Sequence, residues 1–186
     1  SDNGGLSTSE GHPTTNVPLR AGKGWLYEGG IREPMIIKWP GVTEPGAVCD
    51  VPVTSTDFYP TMLEMAGLPL KPDQHRDGVS LANLLKNGEK PDREAIYWHY
   101  PHYGNQGGSP GSAIRQGRYK LIKFYENDEV ELYDLSVDIR EEHDISGDKP
   151  KIREQLLEKL NAWLDSTNAK YPSPNPRHEK AEAAAE

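Results

Sequence analysis

The sequence contains a single cysteine in 186 residues, and its apolar runs are short. One thiol cannot form an intrachain disulfide or a thiolate zinc cage, which excludes a disulfide-stapled fold and a zinc ribbon. A membrane-spanning helix needs about 20 consecutive apolar residues. Runs such as 34–37 are only long enough for a strand. We therefore expect no membrane partner.

The chain also lacks an excess of positive charge. It has 29 acidic and 21 basic residues, which gives a formal net charge of -8. The lysines and arginines are scattered, so no basic patch offsets the repulsion from a phosphate backbone. These features predict that nucleic acid is not a partner.

Glycine and proline are abundant, at 18 and 16 residues, and the first third of the chain is rich in both. Its one strand candidate is 33–39, whose continuous apolar centre is typical of a strand buried on both faces. Two short helices are predicted at 57–66 and 80–87. Each has capping side chains before it and a glycine, Gly67 or Gly88, at its end.

Beyond residue 93 the pattern changes to period two, which is typical of half-buried strands separated by polar turns. An antiparallel sheet is therefore predicted, with strands at 94–99, 112–117, 119–125 and 129–134.

The last hairpin of this sheet can be predicted in more detail. If Phe124 lies opposite Val130, the connecting loop has three residues, 126–128. Either Asn127 or Asp128 can then adopt the left-handed conformation that the turn requires.

The clearest helix begins at Pro150, a residue favoured at the first helical position, and extends to about residue 168. Apolar residues at 3.6-residue spacing form one stripe along it. Such a stripe is expected to cover the sheet. Its members are Ile152, Leu156, Leu157, Leu160, Trp163 and Leu164.

Two short segments contain residues suited to chemistry. Asp2 and Asn3 provide two hard oxygen ligands just before a glycine pair, as in a Ca²⁺ or Mg²⁺ site, although an Asx turn explains the same residues. Lys23 stands between two glycines, which allow its ammonium group to approach an anion. The alternative is an ordinary solvated lysine in a glycine loop.

Several ordered motifs together resemble the C-terminal part of the arylsulfatase-type sulfatases, within the alkaline-phosphatase-like superfamily. The similarity covers nearly the whole chain to about residue 176. The motifs are Ser1-Asp2-Asn3-Gly4-Gly5, Pro18 to Gly24, Glu28-Gly29-Gly30-Ile31-Arg32-Glu33-Pro34, Trp39-Pro40-Gly41, Ile114 to Ile122 and Glu131 to Leu135.

This resemblance implies an α/β fold class, seen here as α+β. The expected parts are the C-terminal portion of the sulfatase α/β sandwich at 1–92, an antiparallel sheet capped by a helix at 93–170, and an extended tail at 171–186. It also implies that Asp2 and Asn3 bind Ca²⁺ and that Lys23 contacts the sulfate during hydrolysis of a sulfate ester.

The family nucleophile is a formylglycine made from a Cys/Ser-x-Pro-x-Arg motif, and this chain lacks that motif. Cys49 does not qualify, because Pro52 is one place late and Val53 stands where arginine is required. The chain begins at Ser1 with no initiator methionine and no signal peptide. We therefore expect a piece of a longer enzyme that is inactive alone.

A cluster of aromatic and histidine side chains occupies 97–103. Aromatic faces stack on sugar rings and imidazoles donate hydrogen bonds, and in similar sulfatases this region borders the substrate pocket. His99 and His102 are thus candidate substrate contacts. The equally weighted alternative is that alternate residues of a strand pack within the sheet.

The expected substrate is a sulfated carbohydrate or an aryl sulfate. The resemblance also implies a periplasmic or extracellular location, and unpaired strand edges would favour self-association. Two alternative functions stay open: a phosphate or phosphonate monoester hydrolase, and a noncatalytic glycan-binding or structural module. The combination of Lys23 with 28–32 favours a sulfatase over the former.

Overall fold

The computed structural model describes residues 1–8, 14–173 and 175. Contacts divide these residues into two compact units. The first comprises 1–3 and 33–96, and the second comprises the described residues of 4–32 and of 97 onward. Lys23 thus belongs to the same unit as the C-terminal sheet, which the sequence did not indicate. The tail predicted at 171–186 lies outside the described residues, apart from 171–173 and 175.

In the first unit, both predicted helices are confirmed. Helix α2 spans Phe58–Met65 after a 3₁₀ turn at Ser55–Asp57, and α3 spans Ala82–Asn87. A shorter helix, α1, belongs to the second unit and spans Glu28–Ile31.

The strand predicted at 33–39 is wrong. This segment has no regular secondary structure, and Met35 and Ile36 are 42% and 96% exposed. A strand needs a neighbour that accepts and donates its backbone hydrogen bonds. The described part of the chain pairs no strand with 33–39, so its apolar run alone does not make it a strand.

The predicted antiparallel sheet is confirmed, and apart from Ile96 it belongs to the second unit. Its strands are β1 (Ile96–Tyr100), β2 (Gly111–Gln116), β3 (Tyr119–Phe124) and β4 (Val130–Asp134). Their spatial order follows the sequence, and the β2–β3 and β3–β4 pairs are antiparallel.

The register of the last hairpin differs from the prediction by one residue. Val130 lies opposite Lys123 instead of Phe124, and the backbone N–H of Phe124 donates to the carbonyl of Glu129 at 2.9 Å. The left-handed conformation predicted at this turn is found at Asp128, with φ 54°. Because both faces of β3 are buried, apolar alternation does not specify which side chains share a face.

Helix α4 spans Pro150–Ser166 and covers one face of the sheet, as predicted. Leu156, Leu160 and Leu164 on its apolar stripe are buried. The ring of Trp163 stacks on Tyr97 with centroids 4.9 Å apart and planes at 8°. Neither α4 nor another described helix is long and apolar enough to cross a membrane.

The opposite face of the sheet is covered by the segment that follows Lys23. Leu26 and Tyr27 form a buried core with strand residues, and no residue of α4 belongs to this core. Since this segment is pinned to the sheet, the sheet fixes the position of the loop that precedes it. The strand residues of this core are Ala113, Ile122 and Tyr133.

Candidate functional site

The loop around Lys23, residues 20–28, is held by backbone hydrogen bonds. The N–H of Lys23 donates to the carbonyl of Gly5 at 3.2 Å, and Trp25 N–H donates to the carbonyl of Gly22 at 3.1 Å, which closes a turn. The side-chain amide of Asn16 donates to the carbonyls of Gly5 and Ala21 at 2.8 and 3.0 Å. The backbone that carries Lys23 is therefore held by several hydrogen bonds, and Lys23 itself is half-buried.

A glycine is required at position 22 by close packing. A Cβ atom there would collide with the carbonyl oxygen of Gly5 and would lie 2.7 Å from the amide nitrogen of Asn16. Only a residue without a side chain allows the two backbone segments this close. Close packing against Gly5 and Asn16 thus explains why the residue before Lys23 is a glycine.

Arg20 anchors the start of the loop to the sheet. Its guanidinium lies 3.8 Å from the centroid of the Tyr27 ring, a cation–π contact, and Nη1 donates to the hydroxyl of Tyr133 at 2.9 Å. The Tyr27 hydroxyl in turn donates to Oε2 of Glu131 at 2.8 Å. Burial raises the pKa of Tyr27, so it stays a neutral donor at ordinary pH.

A buried charge cluster anchors the other end. Glu28, in α1, is 1% exposed, and Lys120 and Glu141 are 0% exposed. The ammonium Nζ of Lys120 lies 3.1 Å from Oε1 of Glu28 and 2.8 Å from Oε1 of Glu141. Buried ions persist only when they are paired, and these three satisfy that condition together.

Two arginines complete the surroundings of Glu28. Arg115 and Arg32 place Nη1 atoms 3.7 and 3.6 Å from its Oε2. Burial lowers the pKa of Arg115. Sequence reasoning missed this cluster, because Lys120 and Glu141 belong to no motif with an assigned role. The one residue of the cluster that the sequence could have drawn attention to was Glu28, which begins the motif at 28–34.

The glycine-rich loop at 104–108 packs against the Lys23 loop. The backbone carbonyl of Gln106 accepts hydrogen bonds from Trp25 Nε1 at 3.3 Å and from the Thr8 hydroxyl. At the start of this loop Tyr103 is 69% exposed, and its hydroxyl donates to Glu126 at 2.8 Å. An exposed aromatic ring thus stands at the start of a loop that touches the residues after Lys23.

The two candidate histidines have different surroundings. His99 Nε2 lies 2.9 Å from the carbonyl of Lys170, which can only accept, so Nε2 carries the proton. Its Nδ1 then accepts from Ser112, at 2.7 Å, or from Tyr125, at 3.1 Å. Both ring nitrogens are occupied within the chain, which favours the packing interpretation of His99. His102 is exposed, with its ring edge-on to Tyr100.

Asp2 and Asn3 belong to the first unit, and no described strand contains them. The side-chain amide of Asn3 donates to Oδ2 of Asp2 at 2.9 Å. This bond leaves Oδ1 of each side chain for other partners. Two adjacent hard oxygens fit part of a Ca²⁺ shell, which needs six to eight ligands.

The chain matches the family model "N-sulphoglucosamine sulphohydrolase, C-terminal" over residues 21–170. It is 39% identical to a sulfatase of Formosa agariphila over 184 residues, which covers 91% of this chain and 32% of that protein. It is 32% identical to human arylsulfatase A, covering 83% of this chain and 35% of that protein. The chain therefore spans about a third of the length of these curated relatives.

Solved structures agree with these matches. The crystal structure of Ps i-CgsB superposes with a TM-score of 0.72 at 32% identity, covering 87% of this chain and 34% of that one. A protein solved with its substrate D-glucosamine-2-N,6-O-disulfate has a TM-score of 0.61 at 32% identity, covering 70% of this chain and 27% of that one. The predicted fold class is confirmed. This chain is a member of the sulfatase family and corresponds to the C-terminal part of its relatives.

Proposed function

We propose that the protein carrying this chain hydrolyses sulfate esters and that Lys23 contacts the sulfate. The observation that supports this most is the fixed loop around Lys23 in a chain that matches the sulfatase C-terminal model. An ammonium held in place beside the sulfur stabilises charge that develops on the sulfate oxygens during attack.

The proposed metal is Ca²⁺, held in part by Asp2 and Asn3. Their two uncommitted oxygens fit a hard cation but supply only a minority of its shell, so the proposal requires further ligands from residues outside this chain. When bound, such an ion supplies positive charge that polarises the sulfate oxygens. The formylglycine nucleophile is likewise proposed to lie outside this chain.

A sulfated carbohydrate is the proposed substrate class. The exposed ring of Tyr103 and the exposed imidazole of His102 precede a loop that packs on Trp25, two residues beyond Lys23. An aromatic face can stack on a sugar ring while an imidazole donates to a hydroxyl or a sulfate. The substrate of one structural relative, D-glucosamine-2-N,6-O-disulfate, belongs to this class.

The test uses the protein that contains this chain and the residues upstream of it. Lys23→Ala should lower kcat/KM for a chromogenic aryl sulfate by roughly 10²–10³, by analogy with the loss of an oxyanion donor. Lys151→Ala is the matched control, because Lys151 is exposed on α4 in the same unit. Turnover of Lys23→Ala near the parental value would remove the proposed role of Lys23.

The same assay separates the alternative functions. Faster turnover of an aryl phosphate than of an aryl sulfate would favour a phosphate monoester hydrolase. Binding of a sulfated glucosamine without turnover of any ester would favour a glycan-binding module.

A further inference from the structure

Glu141 contacts the Lys23 loop at both ends. Its backbone carbonyl accepts a hydrogen bond from Arg20 Nη1 at 2.7 Å. Its carboxylate Oε2 accepts one from the backbone N–H of Glu28 at 2.6 Å. Arg20 lies three residues before Lys23 and Glu28 five residues after it. Glu141 thus connects the two ends of the loop.

The conformation of Glu141 is unusual for its residue type. Its φ is +54°, in the left-handed region that non-glycine residues seldom adopt, and its side chain is fully buried. A residue persists in this region only when its surroundings determine its conformation. Here those surroundings are the contacts to Arg20, Glu28 and Lys120.

Lys120 holds the carboxylates of Glu28 and Glu141 together from strand β3. Its Nζ is within 3.1 Å of an oxygen of each. Burial raises the pKa of Glu141, and the charge of Lys120 opposes that rise. Buried ion pairs contribute little net stability, because well-packed apolar side chains of the same volume often do as well or better. Stability alone is therefore a weak reason for this cluster.

We propose that Glu141 is a positioning residue for Lys23, acting through the hydrogen bonds that its carbonyl and its carboxylate accept from the two ends of the loop. This inference rests on the proposed function of Lys23 as the sulfate contact. Reacting groups displaced by about 1 Å can cost a hundredfold in rate. A loop tied at both ends keeps the backbone that carries the ammonium in one place.

Two double variants of the sulfatase test this role. Glu141→Met with Lys120→Met replaces the ion pair with apolar groups of similar size and removes the acceptor for Glu28 N–H. Glu141→Gln with Lys120→Met also removes both charges but keeps an oxygen that can accept this bond. We expect kcat for the aryl sulfate to fall ten- to a hundredfold in the first variant, with KM changed less than threefold. The second should stay within about threefold of the parent.

Hydrogen exchange on the 186-residue chain gives a readout that does not depend on activity. The amide of Glu28 should exchange at least tenfold faster in the Met–Met variant than in the Gln–Met variant, while the amides of β3 stay unchanged. If exchange changes in this way but the parent hydrolyses no sulfate ester, the proposed function fails and the positioning contact stands.

Two further variants complete the design. Arg20→Met releases the other end of the loop without placing a new group in the core, and it should lower kcat about tenfold. Lys123→Met is the matched control, because it lies on β3 and has no ion pair among the described residues. Equal kcat in the Met–Met variant and the parent would overturn the proposal. An equal loss of kcat in both double variants would also overturn the proposal. If the Met–Met variant does not fold, parental kcat in Arg20→Met overturns it.

Discussion

Arg93 and Asp57 form a two-point ion pair that uses both carboxylate oxygens. Nη1 lies 2.7 Å from Oδ1 and Nη2 lies 2.9 Å from Oδ2. Asp57 is fully buried, and its carboxylate also accepts the backbone N–H groups of Thr54 and Val79 at 2.9 and 3.0 Å. One carboxylate thus joins the start of α2, the segment before α3 and Arg93 within the first unit.

The first prediction follows from this pair. Arg93→Met leaves the charge of Asp57 buried without its partner, and we expect a loss of about 3–5 kcal/mol in the free energy of unfolding. Urea unfolding measures it. Arg76→Met is the control, since Arg76 is exposed and has no ion pair within the described ranges. A loss below about 1 kcal/mol, no larger than that of the control, would contradict this account of Asp57.

The second prediction concerns the contact of α4 with the sheet. Leu160 is 0% exposed, so Leu160→Ala should leave a cavity and destabilise the chain by about 2–5 kcal/mol. Gln155→Ala, on the exposed face of the same helix, should change stability by less than about 0.5 kcal/mol. Thermal unfolding followed by circular dichroism compares the two. Equal stability of both variants would show that α4 does not pack as described.

How much of this fold the sequence predicts depends on whether the signal is local. Helix α4 was predicted within two residues at its end, because Pro150 and a 3.6-residue stripe specify a helix without reference to the rest of the chain. The strand at 33–39 was wrong because a strand also needs a partner. The hairpin register was wrong by one residue because Leu121 and Ile122 are both fully buried.

The site shows the same division. The glycines around Lys23 were predicted to let its ammonium approach an anion, whereas the structure gives Gly22 a different reason, its close packing on Gly5. The buried cluster could not be predicted, because Lys120 and Lys123 each stand between two apolar residues of β3 and the sequence does not show which lysine is buried. Their different burial depends on Glu28, which is 92 residues from Lys120 in sequence, and on Glu141.

The third prediction concerns pH. Hydrogen bonds from Arg118 hold the pKa of Asp134 near 2, below its usual 3.8. Because the folded pKa is lower, the unfolded chain binds more protons in this range, and stability falls as pH drops. The contribution of Asp134 is complete above pH 3.8 and is lost as pH falls toward about 2.

Urea unfolding at several pH values measures this effect in the parent and in Asp134→Asn. The variant should be less stable than the parent at pH 7, and the difference should shrink between about pH 4 and about pH 2. Asp148→Asn is the control, because Asp148 is exposed and has no ion pair in the part of the chain that is described. A difference that does not depend on pH would refute the role given to Arg118.

The fourth prediction concerns Ca²⁺. Asp2 and Asn3 offer two oxygens, and most of a Ca²⁺ shell would be left to water, so the isolated chain should bind the ion weakly. Calorimetric titration should show no sub-micromolar site, and Asp2→Asn should weaken whatever binding is measured. A stoichiometric sub-micromolar site would show that this chain holds a complete set of ligands and that the proposed ligands outside it are unnecessary.

The last prediction separates the chain from the whole protein. The isolated 186-residue chain should hydrolyse no aryl sulfate above background, because Lys23 can stabilise charge but cannot supply the covalent nucleophile that the reaction needs. Cys49 is the one thiol, and although it is exposed, the residues after it do not form the formylglycine motif. Cys49→Ala in the whole protein should therefore leave turnover unchanged. Turnover by the isolated chain, lost on Cys49→Ala, would place the nucleophile within these 186 residues and overturn the proposed division of the active site.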